Sequence, residues 1–438
     1  MEIGNIAKGL VGIIVLIGLT SLFSENKKSI NWRSVGIGIL MQFVFAFFVL
    51  KTDIGRNIFG AISKGFVSLL NFSSYGAEFV FGRLARDAGP DSLGFFFVFK
   101  VLPTIIFFAS FMGVMYHLGI MQFIVKYIAK LVAKLLKTSG AESLSVGASI
   151  FIGQTEAPLV IRPYIASMTK SELLTIMTSG MAHISGGIMG TYVMMVAAPL
   201  AIMLGRSLEA TQVQFAGHFL AACIMAAPAS IIISKILVPE SDKPKTLGTV
   251  SLKVEKTSSN VIEAAASGAA DGVKLAINVA GMLIAFIALI ALVNAILQWL
   301  GLFGGINAFC FDRFGKPLSL ELLFGIIFQG FAILIGVTPK ESLEVGSLMG
   351  IKLALNEFVA YSKLSDIIAL KHLSERSVII ATYALCGFAN FASIAIQIGG
   401  ISPLAENRRG DIAALGMKAV LGGTVATMLT ASIASLFI

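Results

Sequence analysis

Apolar stretches of helical length recur along the whole chain, separated by short polar segments. They cover residues 9–24, 34–50, 94–119, 176–204, 214–238, 274–300, 319–337, 377–401 and 411–438. Most of them reach the roughly 20 residues that a helix needs to cross a hydrocarbon core about 30 Å thick. The stretch 55–71 differs, because its apolar residues recur at helical spacing between a few charges, which predicts an interfacial helix. The pattern predicts an all-α polytopic membrane protein.

Composition and charge support this class. Of the 438 residues, 56% are hydrophobic and only 13% are charged, and the mean hydropathy is +0.89. The net charge of +9 arises largely from basic residues at 27–33, 126–137, 235–256 and 408–409. Basic loops are retained on the cytoplasmic side of a membrane, so we interpret the charge as a sign of orientation and expect no nucleic-acid partner.

The cysteines and the first apolar run indicate no further functional site. Cys223, Cys310 and Cys386 lie far apart in apolar runs, so no disulfide framework or metal spacing follows from them. The first apolar run lacks a small-residue cleavage pattern after it, and we expect it to be the first span and not a removable signal.

An internal repeat is the most informative feature of the sequence. The two copies are residues 149–188 and 351–394. Each copy has a glutamate inside an apolar run, Glu156 or Glu357, and a glycine 30 residues later, Gly186 or Gly387. Between them lies a Ser-Glu pair, at 171–172 and at 374–375, which predicts the N-cap of the next helix.

The lengths within each copy predict a helical hairpin and then a broken helix. The apolar stretches on either side of each glutamate hold about ten residues, too few to span a bilayer. A hairpin that enters and leaves on one side, with its tip near the membrane centre, fits both copies. The segments 183–187 ("HISGG") and 386–393 ("CGFANFAS") are the predicted breaks. Three crossings separate the hairpins, which makes the repeat inverted if 319–337 lies against the outer face without crossing.

The two tips carry chemistry that is expensive at that depth. A carboxylate at the bilayer centre costs about 2.5–3.5 kcal/mol, yet Glu156 and Glu357 occupy matched positions. Pro158 fits an early position of the second half-helix, whose dipole is expected to favour Glu156. The remaining polar or aromatic groups of the tips and breaks are Gln154, Thr155, Asn356, Phe388, Asn390 and Ser393. Amide, carboxylate and aromatic groups together suit a neutral, planar, hydroxyl-rich solute.

Catalytic signatures are absent from the sequence. It contains no H-E-x-x-H, no G-x-S-x-G and no P-loop pattern. We therefore predict that the protein is not an enzyme, binds no cofactor and is not driven by ATP. An ion gradient is the energy source that remains.

The motifs "GQTEAP", "NEFVAY" and "CGFAN", in this order and spacing, resemble the concentrative nucleoside transporter family over essentially the whole chain. The resemblance implies eight transmembrane helices, two re-entrant hairpins in inverted repeats, interfacial helices, and a homotrimer whose scaffold supports an elevator-type transport domain. It assigns the nucleobase to Gln154, Thr155, Glu156, Ile188 and Phe388. It assigns the ribose to Glu357, Asn390 and Ser393.

The resemblance also divides the chain into segments. Scaffold and interfacial helices would occupy 1–137, the first transport-domain repeat 138–238, a cytoplasmic loop 239–260, a scaffold span with an outer interfacial helix 261–337, and the second transport-domain repeat 338–438. We call 138–238 the first repeat and 338–438 the second repeat.

The implied cation site departs from the sodium-coupled pattern of the family. That pattern has an asparagine at position 149 and a serine at position 183, whereas this chain has Ser149 and His183. Backbone carbonyls of Ile152 and Ile184 would complete the site. Sodium prefers oxygen ligands, which Ser149, Ile152 and Ile184 supply. Ser149 resembles the proton-coupled bacterial branch, and His183 could titrate, so Na+ and H+ both remain open.

The sequence thus predicts a multi-pass symporter of the bacterial cytoplasmic (inner) membrane, in contact with lipid, that takes up nucleosides such as uridine with H+ or Na+. A secondary carrier for another polar solute, such as a free nucleobase, is the alternative, and a channel is a third. Purine versus pyrimidine preference stays open, because Ile188 and Phe388 constrain ring packing only loosely.

Overall fold

The computed structural model describes residues 3–86, 96–248 and 258–438, with side chains from residue 9 onward. Within these ranges, regular structure consists of α-helices and short 3-10 helices, apart from one isolated bridge between Ser139 and Leu247. The prediction of an all-α fold is therefore confirmed for the described part of the chain.

Five helices precede the first repeat. They are α1 (Ile3–Leu22), α2 (Trp32–Lys51), α3 (Asp53–Phe81), α4 (Phe97–His117) and α5 (Ile120–Leu136). The apolar runs 9–24, 34–50 and 94–119 correspond to α1, α2 and α4, although residues 94–95 lie outside the described ranges. The stretch 55–71 lies inside the 29-residue helix α3. Its position along a membrane interface stays a prediction.

The first repeat contains a hairpin, a broken helix and a long buried helix. Its helices are α6 (Gly140–Ser149), α7 (Arg162–Ile165), α8 (Lys170–Ala182), α9 (Gly186–Leu204) and α10 (Leu208–Leu237). We call residues 150–156 the first tip and residues 183–185 the first break. Helix α6 has 10 residues, about 15 Å of helix, so this arm cannot cross a bilayer.

Two details of the first repeat differ from the prediction. The second arm of the hairpin is a 3-10 turn (Ala157–Ile161) followed by the four-residue helix α7. Pro158 and Pro163 have no N–H to donate and interrupt the α-helical ladder there, so the helix dipole expected to favour Glu156 is small. The predicted N-cap at Ser171 is also wrong, because Thr169 caps α8 and forms a capping box with Glu172.

Three helices connect the repeats. They are α11 (Val261–Leu300), α12 (Ile306–Phe314) and α13 (Leu320–Leu334). Helix α11 has 40 residues and is exposed along most of its apolar length. Helix α13 has 15 residues, about 22 Å of helix, which fits the prediction that 319–337 does not cross. Its location on the outer face stays a prediction.

The second repeat follows the order of the first. Its helices are α14 (Ser342–Ala354), α15 (Glu357–Ala369), α16 (Glu375–Leu385), α17 (Phe391–Ile401) and α18 (Arg409–Ser435). We call residues 355–357 the second tip and residues 386–390 the second break. Ser374 caps α16 as predicted. Helix α18 begins 201 residues after α10 begins, at 409 against 208, and Glu357 follows Glu156 at the same spacing.

Among the described residues, six helices are long and apolar enough to cross a membrane by length and composition. They are Trp32–Lys51, Phe97–His117, Lys170–Leu204 with its break, Leu208–Leu237, Val261–Leu300 and Glu406–Ser435. Helix α1 and the broken pair α16–α17 would bring the number to the predicted eight, which stays a prediction.

An ion-pair cluster connects the loop after α1 to three other helices. The Glu25 carboxylate pairs with Lys170 of α8 at 2.7 Å and with Lys418 of α18, and its backbone N–H donates to the Leu237 carbonyl at 2.9 Å. Burial alone would raise the pKa of Glu25. Hydrogen bonds and charges from the two lysines outweigh burial and hold this pKa below its ordinary value.

Candidate functional site

The two tips and the two breaks surround one cavity of about 1380 Å³. Residues of helices α4 and α11 also line it. All eight residues assigned to nucleoside binding line it: Gln154, Thr155, Glu156, Ile188, Glu357, Phe388, Asn390 and Ser393. The structure therefore brings together residues that are up to 239 positions apart in sequence. Their contact with a nucleoside stays a prediction.

The amide of the first tip is fixed by side chains of helix α17. Gln154 donates from Nε2 to Ser393 Oγ at 3.0 Å, and Gln397 donates from Nε2 to Gln154 Oε1 at 3.2 Å. Gln397 also donates to the Met177 carbonyl of α8 at 2.9 Å. Because both neighbours are themselves anchored, the Gln154 amide faces the cavity in a defined orientation. Sequence analysis missed Gln397, which lies in an apolar run that gives no sign of its partner.

Gly180 of α8 makes room for this pair of amides. A Cβ atom at Gly180 would lie 2.9 Å from Gln397 Nε2 and 3.0 Å from Gln154 Cβ. Contacts this short are rarely made by real Cβ atoms, so a larger residue would displace one of the amides. The glycine is therefore a packing requirement of the site.

The carboxylate of the second tip is buried and hydrogen-bonded. Glu357 accepts from Tyr192 Oη at 2.9 Å and from Asn390 Nδ2 at 3.3 Å. The Tyr192 ring stacks on Tyr361 with centroids 4.3 Å apart. A carboxylate offers about four acceptor positions, so Glu357 retains capacity for a ligand hydroxyl. Sequence analysis also missed Tyr192, because a tyrosine in an apolar helix resembles ordinary core.

The second break is held by its own polar side chains. Asn390 caps α17, with Oδ1 accepting from the Ser393 N–H at 2.9 Å. Ser393 in turn donates to the Phe388 carbonyl at 2.6 Å. These bonds satisfy backbone groups that the break releases. They also fix Phe388 and Asn390, so the aromatic face and the amide point into the cavity from one rigid turn.

The first carboxylate is placed differently from the second. Glu156 is exposed to the cavity, and its Oε2 lies over Gly153, where a Cβ atom would be only 2.2 Å away. Thr155 is half-buried beside it. Asn356, the equivalent of Thr155, instead caps α15 by accepting from the Val359 N–H at 2.9 Å. One carboxylate is thus free to meet a ligand, and the other is already positioned.

The second break contacts the end of helix α8 at a point where only glycine fits. A Cβ atom at Gly387 would lie 2.7 Å from the Met181 carbonyl oxygen. The first tip contacts the start of α9, directly after the first break, where the Gly186 N–H donates to the Phe151 carbonyl at 2.9 Å. Irregular backbone at membrane depth is tolerated when it is buried in protein or lines a cavity, and here it does both.

The residues assigned to the cation lie behind the first tip. Ser149, His183 and Ile184 are buried and do not line the cavity, whereas Ile152 does. Ser149 donates from Oγ to the Ser145 carbonyl at 3.0 Å, which leaves its oxygen able to accept or coordinate. His183 donates from Nδ1 to the Ser179 carbonyl at 2.7 Å. Among the described residues, His183 Nε2 has no hydrogen-bond partner.

Three family models match the chain. "Na+ dependent nucleoside transporter N-terminus" covers residues 11–84, "Nucleoside recognition" covers 98–199, and "Na+ dependent nucleoside transporter C-terminus" covers 218–435. The chain belongs to the Na+-dependent nucleoside transporter family. The resemblance found in the sequence is thereby confirmed, and so is the prediction of a transporter in place of an enzyme.

Similar proteins match almost the whole chain. The uncharacterized transporter YutK of Bacillus subtilis is 43% identical over 436 residues, covering 99% of this chain and 100% of YutK. Human solute carrier family 28 member 3 is 38% identical over 439 residues, covering 97% of this chain and 59% of that protein. Rat sodium/nucleoside cotransporter 1 is 37% identical over 440 residues, covering 97% and 63%. The chain thus spans only part of the two animal transporters.

Solved structures of CNTnw share the fold. CNTnw in an inward-facing substrate-bound state is 39% identical, with a TM-score of 0.85 over 99% of this chain and 98% of that chain. A variant of CNTnw in an outward-facing state is 38% identical, with a TM-score of 0.87 over 99% and 98%. The family fold is therefore compatible with different transport states.

Proposed function

We propose that the protein is a cation-coupled symporter that takes up nucleosides such as uridine across the bacterial cytoplasmic membrane. The observation that carries the proposal is that two carboxylates, three amides and an aromatic ring from the tips and breaks line one cavity. Groups of this kind suit a ligand that has both a flat polar ring and a hydroxylated sugar. A free nucleobase would leave the Glu357 side of the cavity without a partner.

The nucleobase would lie against the first tip. Gln154 offers both a donor and an acceptor to the polar edge of the ring, and Thr155 and Glu156 add further groups. Ile188 and Phe388 would contact its faces. The ribose would lie against the second tip, where Glu357, Asn390 and Ser393 form one connected hydrogen-bond network. A buried carboxylate of this kind selects ligands that donate to it, because the acceptor positions that Tyr192 and Asn390 do not use are otherwise left unpaired.

Na+ is the proposed coupling ion, and it would bind behind the first tip. Ser149 and the carbonyls of Ile152 and Ile184 supply oxygen ligands, which a hard cation prefers. Helices α6 and α8 both end here, and the C-terminal ends of broken helices favour cations. H+ is a second candidate, favoured by the buried Nε2 atom of His183 that has no hydrogen-bond partner among the described residues.

The proposed architecture follows the boundaries predicted from the sequence. Eight spans, re-entrant hairpins and interfacial helices would form each protomer of a homotrimer. Residues 138–238 and 338–438 would form the moving transport domain, and 1–137 and 261–337 the scaffold, with 239–260 as a cytoplasmic loop. Helix α11 supports assembly, because its long apolar surface is exposed in one protomer and must meet lipid or another subunit.

Radiolabelled uridine uptake into proteoliposomes tests the function. Three conditions are compared: an inward Na+ gradient, an inward H+ gradient and no gradient, with the membrane potential clamped by K+ and valinomycin. We expect accumulation with Na+ alone. Accumulation with H+ alone would assign coupling to protonation near His183. If neither gradient drives accumulation of uridine, cytidine or adenosine, the proposal is wrong.

A competition experiment separates the nucleoside from the free-nucleobase alternative. Unlabelled uridine is expected to compete with labelled uridine far better than uracil does, because uracil lacks the sugar that would contact Glu357. Equal competition by uracil and uridine would favour the nucleobase carrier. Downhill flux without accumulation under any gradient would indicate a channel.

A further inference from the structure

Lys352, in the last turn of α14, is a buried lysine that the proposed transport cycle leaves unused. Only 3% of its surface is exposed. Its ammonium group donates to the Ala384 carbonyl at 3.0 Å and to Thr427 Oγ1 at 3.1 Å. An ammonium group at membrane depth is costly and is retained where it has a function or a partner. Here the partners are neutral oxygen atoms, the kind of ligand set that a free cation would use.

The internal repeat relates the position of Lys352 to a position in the first repeat. At the repeat spacing of 201 residues, Ala384 corresponds to His183, and Lys352 corresponds to Phe151. The residues assigned to the cation in the first repeat are 149, 152, 183 and 184, so they lie on both sides of position 151 and include position 183 itself. The Lys352 ammonium therefore lies in the second repeat where the coupling cation would lie in the first.

Helix ends also lie near both positions, offset by four and by two residues at the repeat spacing. Helix α14 ends at Ala354, two residues after Lys352, and α16 ends at Leu385, one residue after the carbonyl that accepts from the Lys352 ammonium. In the first repeat α6 ends at Ser149 and α8 at Ala182. Each pair of ends presents unsatisfied carbonyls and partial negative charge. Both repeats thus form a cation-attracting point, but Phe151 in the first repeat has no charge to occupy it.

We propose that Lys352 is a tethered cation that permanently fills the ion site of the second repeat, so that only the first repeat binds a mobile cation. The inference rests on the proposed function and specifies its stoichiometry. At most one coupling cation would move with each nucleoside. Lys352 is a positioning residue, since it does not line the cavity.

The Lys352 ammonium also explains why the Glu357 carboxylate and the Glu156 carboxylate lie in different environments. The Lys352 charge stabilises the nearby Glu357 carboxylate electrostatically, although the described residues show no direct ion pair between them. Ala384 precedes the second break by two residues, so its bond to Lys352 also holds the segment that carries Asn390. Glu357 therefore has a fixed counter-charge. Glu156, in the first repeat, would obtain one when the mobile cation binds.

Uridine binding to the purified protein in detergent tests the proposal. Calorimetric Kd values are measured over a NaCl series at constant ionic strength, with choline chloride as the replacement salt and NH4Cl as a second probe. In the wild type, the slope of log Kd against log [Na+] should correspond to one ion or none. A wild-type slope that corresponds to two Na+ ions would overturn the proposal, independently of the results for the variants.

Lys352→Ser leaves space and a hydroxyl group where the ammonium was. In choline chloride its Kd for uridine should rise about tenfold or more, because hydrogen bonds to a charged group are lost. Na+ or NH4+ should restore binding, with a slope steeper than that of the wild type by one ion. Lys352→Met fills the space without charge or ligand, and its loss of affinity should not be restored by either cation.

Two results for the folded variants would contradict the proposal. Wild-type affinity of Lys352→Ser in choline chloride would mean that the ammonium is not needed. A loss of uridine affinity in Lys352→Ser that neither Na+ nor NH4+ restores would mean that a free cation cannot replace the lysine, so its role would be packing and not that of a tethered cation. Failure of the proposed function is distinguishable, because the wild type would then not bind uridine at all.

Discussion

Replacing Glu357 by glutamine tests the second tip with little change in side-chain volume. The carboxylate accepts from Tyr192 Oη at 2.9 Å and from Asn390 Nδ2 at 3.3 Å. An amide has only one oxygen, so one of these donors would face an NH2 group. The variant would lose the charge that the proposed ribose contact requires and one bond that holds the site in place.

The size of the effect follows from these contacts. A hydrogen bond to a charged group contributes about 1.5–3 kcal/mol, and about 1.4 kcal/mol changes Kd tenfold. We therefore expect the Kd of Glu357→Gln for uridine to rise about 10- to 150-fold. Stability should not fall in proportion, because the substitution removes a carboxylate whose placement at membrane depth costs about 2.5–3.5 kcal/mol.

Calorimetry with two ligands is the appropriate assay. The wild type should bind uridine more tightly than 3′-deoxyuridine, and Glu357→Gln should lose most of that preference. Glu209→Gln, which changes an exposed carboxylate in the first turn of α10, is the matched control. Thermal unfolding and gel filtration confirm that the variants are folded. Unchanged uridine affinity, or an unchanged preference between the ligands, would refute the ribose assignment.

Three further predictions follow from the packing and charges. Gly180→Ala should displace Gln154, weaken uridine binding measurably and cost about 1–3 kcal/mol of stability through overpacking. Gly18→Ala has nothing within 4 Å of the added Cβ atom, so it should leave uridine binding unchanged and should not lower stability. Tyr192→Phe should raise the uridine Kd about two- to tenfold by removing one bond of about 1 kcal/mol. Glu25→Gln should lower thermal stability by at most about 1 kcal/mol at neutral pH.

The pH dependence of the Glu25→Gln effect has a definite sign. The pKa of Glu25 is lowered from 4.5 in the folded protein, so its ion pairs stabilise the fold above that value. This contribution is lost as the pH falls through the lowered pKa. Unfolding curves of wild type and variant should therefore converge below pH 4.5 and separate above it. Curves that differ by the same amount at every pH would contradict the ion-pair account.

The sequence predicted features that repeat or that depend on local spacing. The matched positions of Glu156 and Glu357 indicated two tips, and short apolar runs around them indicated hairpins that cannot span. Glycine-rich breaks 30 residues later indicated the broken helices. These features are visible in the sequence because polar residues and irregular backbone cost free energy in the hydrocarbon core. They are therefore rare there unless they have a function.

Features that depend on distant partners were not predictable. Tyr192, Gln397 and Lys352 each lie in an apolar helix, and each gains its role from a residue in another repeat or another helix. The N-cap at Thr169 was missed because Ser171 offered an equally good local signal. The second arm of the first hairpin is short because Pro158 and Pro163 both interrupt it. The sequence prediction considered Pro158 alone, at the start of a longer half-helix.

The central claim is that the two tips and the two breaks form one nucleoside site. A structure of the protein with 5-iodouridine bound tests it most directly, because the anomalous signal of iodine marks the nucleobase independently of the fitted ligand. We predict an iodine peak in the cavity between Gln154 and Phe388, with ribose density against Glu357. Saturating ligand that leaves this cavity without iodine signal, or ribose density away from both tips, would contradict the account.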